Sequence, residues 1–113
     1  MRSLEWIQEA PILETTDDQR KLLYGLAHYI WWQTPEESLA WPERLLAQVM
    51  DIGTWEDECA IEEAFGEAVL SDVLFHAQPG WFRAKSWSFW FHRLRLIAAT
   101  ENPPPLPIRR YGA

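Results

Sequence analysis

Eight carboxylates fall between residues 51 and 72 with no lysine, arginine or histidine among them: Asp51, Glu56, Asp57, Glu58, Glu62, Glu63, Glu67 and Asp72. Paired carboxylates can move protons or hold a divalent cation, but the loop geometry of a calcium site is missing from this stretch. Two readings stay open, a solvated face or a docking surface for a basic partner. A field of one sign would serve the second by steering association more than by adding affinity. His28, His76 and His92 stand in three separate segments without the H-x-x-x-H spacing of a metal centre, so neither a metal nor another cofactor is expected. Cys59 has Glu58, Glu62 and Glu63 nearby. Acids raise a thiol pKa, which makes Cys59 a structural cysteine rather than a nucleophile. No catalytic constellation is visible, and the expectation is a protein that is not an enzyme.

The cations tell a second story. Arg83, Lys85, Arg93, Arg95, Arg109 and Arg110 could touch phosphates, with Gly53-Thr54 or Gly66 as the turn of a helix-turn-helix. A sequence pI near 4.8 opposes this, because a duplex would meet a repulsive long-range field. Residues 1–82 carry 16 acids against 4 bases and residues 83–113 carry 1 acid against 6 bases, so the two parts can attract each other within one molecule or between copies. Glu58, Glu62, Glu63, Arg83, Lys85 and Arg93 are therefore assigned to partner binding, with a protein as the first choice of partner and nucleic acid as the alternative. A homo-oligomer stays open.

These groups must be held by helices. The chain of 113 residues, 48% hydrophobic and 24% charged, suits a single domain with its own core. One cysteine cannot form an internal disulfide, no apolar run reaches the length of a membrane span, and an acid interrupts the start at Glu5. A soluble, unprocessed cytoplasmic protein is the expectation. Thr16 with Gln19 reads as a capping box opening a helix whose apolar face is Leu22, Leu23, Leu26, Ala27 and Ile30. A short helix on Leu4, Trp6, Ile7 and Ala10 would precede it. Thr34-Pro35 opens a single helical turn, and Pro42 opens an amphipathic helix on Leu45, Leu46, Val49, Met50 and Ile52, ended by Gly53 in a left-handed conformation. Thr54 caps the next helix, with Trp55, Cys59, Ile61 or Glu62, and Phe65 on its buried side. Gly66 ends it, and a further helix runs from about Glu67 to Ala77.

After the turn Gln78-Pro79-Gly80 comes a stretch in which Trp81, Phe82, Trp87, Phe89, Trp90 and Phe91 alternate with Arg83, Lys85, His92 and Arg93. It reads as the keystone helix, starting between Arg83 and Ser86 and reaching about Ala98, with Trp87, Trp90, Phe91, Leu94 and Ile97 on one stripe. The eight tryptophans are spread along the whole chain, which points to helices each giving a ring to one core. Exposed anchors for a partner are the other reading. The architecture expected is an all-α orthogonal bundle of about five helices over residues 1–102, then an extended proline-rich tail over residues 103–113.

Four groups of residues carry a resemblance. Trp32 to Pro42, Val49 to Asp57, Phe65-Gly66 and Ser86 to Trp90 together resemble a family of short bacterial proteins of unknown function. Members share a W-x-x-D/T-P-E-x-L-x-W opening, a G-T/D-W/L-E-D turn, a Y/F-G helix break and a late F-W followed by a proline-containing tail. The likeness covers roughly residues 29–108. The shared positions are caps, turns and core rings rather than chemistry. Such proteins are often encoded beside nucleotidyltransferase toxins of the abortive-infection type, so the resemblance implies an antitoxin or accessory role. This chain departs from the pattern in residues 1 to about 27 and in Ala40, where an acid is usual.

Overall fold

The computed structural model describes residues 13–108. The helix expected on Leu4 to Ala10, and Arg109 and Arg110, lie outside the described residues. Within them the chain is an all-α bundle with no strand: α1 (Asp17–Leu26), a 3-10 turn (Ala27–Tyr29), α2 (Pro35–Leu39), α3 (Pro42–Ile52), α4 (Trp55–Phe75) and α5 (Ala84–Arg93). Among the described residues no helix is long and apolar enough to cross a membrane.

The helix starts follow local chemistry. Thr16 and Thr34 each accept from the backbone N–H three residues on, and Gln19 and Glu37 reach back to the cap N–H, so both open true capping boxes. Thr54 accepts from Asp57 N–H at 3.1 Å to open α4. Trp41 (φ −135°, ψ 73°) lies outside the helical region, which a residue before proline disfavours, and Pro42 then supplies the fixed φ of a first helical turn.

The element at the centre is α3, and the aromatic helix is one of its walls. α3 packs against α1, the 3-10 turn, α2, α4 and α5. Leu45, Leu46, Ala47, Val49 and Met50 are all buried, and the polar Gln48 is buried with them. Burying a leucine or valine contributes about 1.5–3 kcal/mol, so this broad aliphatic face favours the helix as the axis. α5 could not take that place, because charged residues alternate with its rings and leave only one apolar face. Trp87, Trp90 and Phe91 form that face, and Trp90 is fully buried with its Nε1 donating to Met50 O at 2.8 Å.

Several expectations are corrected. Gly53 is extended (φ −71°, ψ 162°), not left-handed. A Cβ there would run into the Val49 carbonyl oxygen, so glycine is needed for close approach. α5 stops at Arg93 rather than about Ala98. Arg95 takes a left-handed φ of 58°, Arg95 N–H bonds to His92 O and Leu96 N–H to Phe91 O, which closes a Schellman motif. With arginine at the position glycine usually holds, no signal in the residue types announced that stop. Of the seven tryptophans described, only Trp81, Trp87 and Trp90 are buried, and Trp31, Trp32, Trp41 and Trp55 are exposed.

α4 is two helical segments joined at Gly66 (φ 88°, ψ 163°). Its break frees carbonyls of the preceding turn, and Gln19 Nε2 donates to one of them, Ala64 O, at 2.9 Å. The described part of the tail is neither helix nor strand. Trp87 Nε1 donates to Pro104 O at 2.8 Å and Leu106 packs on the core, which straps residues 103–108 over α5.

Trp90→Ala is expected to lower unfolding free energy by about 3–5 kcal/mol in urea denaturation, while Trp31→Ala stays within about 0.5 kcal/mol of the parent. Gly66→Ala meets open space yet demands a backbone region almost closed to L-residues. A loss of about 1–3 kcal/mol is expected by the same measurement.

Candidate functional site

The structure divides the six residues assigned to partner binding between two grooves, Glu58, Arg83 and Lys85 in one and Glu62, Glu63 and Arg93 in the other. Glu58, Arg83 and Lys85 line an open cleft of about 310 Å³ with Trp55, Phe89 and Asp51. Beside it, Arg93 Nη2 lies 2.7 Å from Glu62 Oε1, and its guanidinium sits 4.9 Å from the Trp55 ring centroid. Glu63 is exposed on the neighbouring groove, near Cys59 and Glu67.

The geometry changes what these charges can do. Arg83 is tied to Asp51 twice, Nε to Oδ1 at 3.3 Å and Nη2 to the backbone oxygen at 2.8 Å, and its own N–H donates to Oδ1 at 3.0 Å. Ser86 donates to the same carboxylate oxygen. Asp51 thus stands at the N-terminus of α5, where a negative charge is favoured by the helix dipole. Asp57 accepts from Tyr29 Oη at 2.6 Å, and that oxygen in turn accepts from Thr54 N–H. Burial and the bond to Asp57 hold the Tyr29 phenol above its ordinary pKa, against the opposing pull of Thr54. The acidic run therefore divides. Asp51, Asp57 and Glu62 are internal fastenings, whereas Glu56, Glu63, Glu67 and Asp72 face solvent with no side-chain hydrogen bond among the described residues.

Glu58 is the titrating group of the cleft. Burial raises its carboxyl from 4.5 to about 7, and the charge of Arg93 pulls part of the way back. Cys59 is half-buried. Among the described residues no three His, Cys, Asp or Glu side chains are grouped to hold a metal ion.

A second surface was not singled out by residue type. Trp31 and Trp32 meet edge to face at 4.7 Å, the Arg44 guanidinium lies 5.9 Å from the Trp32 centroid and 5.3 Å from that of Trp81, and Trp81 meets Trp41 at 5.4 Å. These contacts make one ridge, Trp31, Trp32, Arg44, Trp81, Trp41. Trp31 is 74% exposed, Trp32 53% and Trp41 41%, while Trp81 is buried beneath them. Burial holds the Arg44 pKa below its ordinary value, partly offset by Asp51. Ile30 takes the core position, and the two indoles directly after it lie outside.

Behind the ridge lies a cavity of about 100 Å³ whose walls include Trp41, Trp81, Val69 and Val73, with Glu43 and Asp72 also lining it. Glu43 Oε2 accepts from Leu13 N–H at 2.6 Å, and Oε1 is buried without a hydrogen-bond partner among the described residues. His76 Nδ1 is 2.9 Å from Asp72 O, at the same wall.

Comparison of the chain with protein-family models, with curated proteins and with solved structures gives no match.

The Glu58 carboxyl holds a proton in the folded state at pH values where the unfolded chain has lost it. Its contribution to stability is therefore full below about pH 4.5 and is lost as pH rises through about 7. Glu58→Gln should flatten the change in thermal midpoint between about pH 5 and 8 and gain on the parent at the alkaline end. The side chain is partly exposed, and solvent screening keeps the effect to a few degrees.

Proposed function

We propose that this chain is a non-enzymatic protein-binding module whose contact surface is the tryptophan ridge, with the free acids of α4 as a steering field. The continuity of the ridge carries the reading. Three exposed indoles joined through Arg44 and the buried Trp81 have the residue types that dominate interface hot spots, and each ring offers a large contact area with few torsions to freeze. The exposed carboxylates Glu56, Glu63, Glu67 and Asp72 and the net charge of −7 favour a basic protein over a second copy of the chain. Nucleic acid is the weaker alternative: Arg83 and Arg93 are bound to Asp51 and Glu62, which leaves few cations for phosphates.

The resemblance described above supports a partner of one kind, a nucleotidyltransferase toxin, for which the chain acts as antitoxin or accessory protein. Co-expression with such a toxin, read by growth and by co-purification, tests this. The parent chain should relieve growth arrest and co-purify with the toxin. Trp31→Ala with Trp32→Ala should lose at least about tenfold in affinity, as expected for hot-spot rings, with the helical circular-dichroism signal intact. Glu56→Lys, Glu63→Lys and Glu67→Lys together should slow association more than they weaken the complex. Glu62 is left out because its reversal would break the Arg93 pair. Full binding by the ridge variant, with loss in the acid variant, would transfer the role to α4.

A further inference from the structure

We propose that the cavity behind the ridge is the receptor for a lysine side chain of the bound partner. This rests on the protein-binding reading, since Trp41 and Trp81 belong to both the ridge and the cavity. Three features of the cavity match that one side chain.

The volume comes first. About 100 Å³ is room for a single side chain, not for a helix. Next are the walls: Val69, Val73 and Leu13 are aliphatic and suit the four methylenes of lysine, which bury readily while the charged end seeks polar groups. Trp41 and Trp81 add indole surface, and a cation is drawn to the ring face.

The charge completes the match. Glu43 and Asp72 both line the cavity. Glu43 Oε1 is buried and has no donor among the described residues, a state that costs free energy until a donor arrives. An ammonium supplies up to three donors and a full charge. Arginine fits less well. Its fork binds carboxylates through two parallel bonds, and Glu43 Oε2 is already held by Leu13 N–H at 2.6 Å. A single free oxygen suits a compact ammonium. The guanidinium this region accommodates, that of Arg44, lies against Trp81 and Trp32 rather than on Glu43.

The test uses the whole chain and small probes, n-butylammonium, n-butylguanidinium and n-butanol, followed by the indole N–H resonances of Trp41 and Trp81 in NMR titrations. Butylammonium should move both resonances saturably and bind on the order of tenfold more tightly than butanol, the gain of a charge-assisted contact. Glu43→Gln should remove that preference. Asp72→Asn, a change at an exposed side chain, should reduce it and serves as the second variant if Glu43→Gln fails to fold. Equal binding of butanol would show an apolar hole and overturn the proposal. Tighter binding of butylguanidinium would overturn lysine in favour of arginine, and an unchanged preference in both variants would overturn the carboxylate assignment. Amine binding that fails while Trp31→Ala with Trp32→Ala still abolishes partner capture sinks the lysine receptor and leaves the ridge. Amine binding that succeeds while the ridge variant captures partner normally does the reverse.

Discussion

The last turn of α3 is the constraint on which the rest of the bundle depends. A helix ends with carbonyls that have no partner within it, and here two of them are closed by side chains from a helix more than thirty residues later. Trp90 donates to Met50 O and Arg83 to Asp51 O, while the Asp51 carboxylate holds the first turn of α5. One end of one helix thus sets the position of α5, and through α5 the face shared with α4. Because α3 is buried from Leu45 to Met50, α1, the 3-10 turn, α2 and α4 also pack against it.

This arrangement resolves the charge asymmetry of the chain. The acids before residue 82 and the bases after it do attract each other, at Asp51 with Arg83 and Glu62 with Arg93. Exposed pairs of this sort contribute about 1 kcal/mol or less, so their importance lies in what they remove from the surface. A helix that reads as basic in isolation is largely neutralised in place. The acids outside these contacts set the sign of the field a partner meets.

The aromatic residues divide in a similar way. Rings spaced at three and four along α5 enter the core because the helix presents them on one side, and Phe82, Trp87 and Phe91 pack in sequence at 5.6 and 4.8 Å. Rings in the connections divide. Trp81 and Phe82, just before α5, are buried, whereas Trp31 and Trp32, after the 3-10 turn, and Trp41, before Pro42, are exposed. Trp32 and Trp81 flank Arg44, Trp31 meets Trp32 and Trp41 meets Trp81, which leaves large apolar area in water, as a binding surface requires and a core does not.

The residue order by itself determined the elements. Capping residues at Thr16, Thr34 and Thr54, prolines at 35 and 42, and the break at Gly66 are local events settled within a few residues. The all-α class and most helix boundaries were therefore legible in advance. Only tertiary structure decided which helix lies at the centre, which acids are fastenings, and which tryptophans face water. Those outcomes depend on contacts between residues far apart in the chain: Glu62 with Arg93, Met50 with Trp90, Arg44 with Trp81. The ridge and its cavity belong to the same group, because no single segment contains them. They arise where the connection after α1, the first turn of α3, the second segment of α4 and the residues before α5 meet, and periodicity along one helix carries no information about such a meeting.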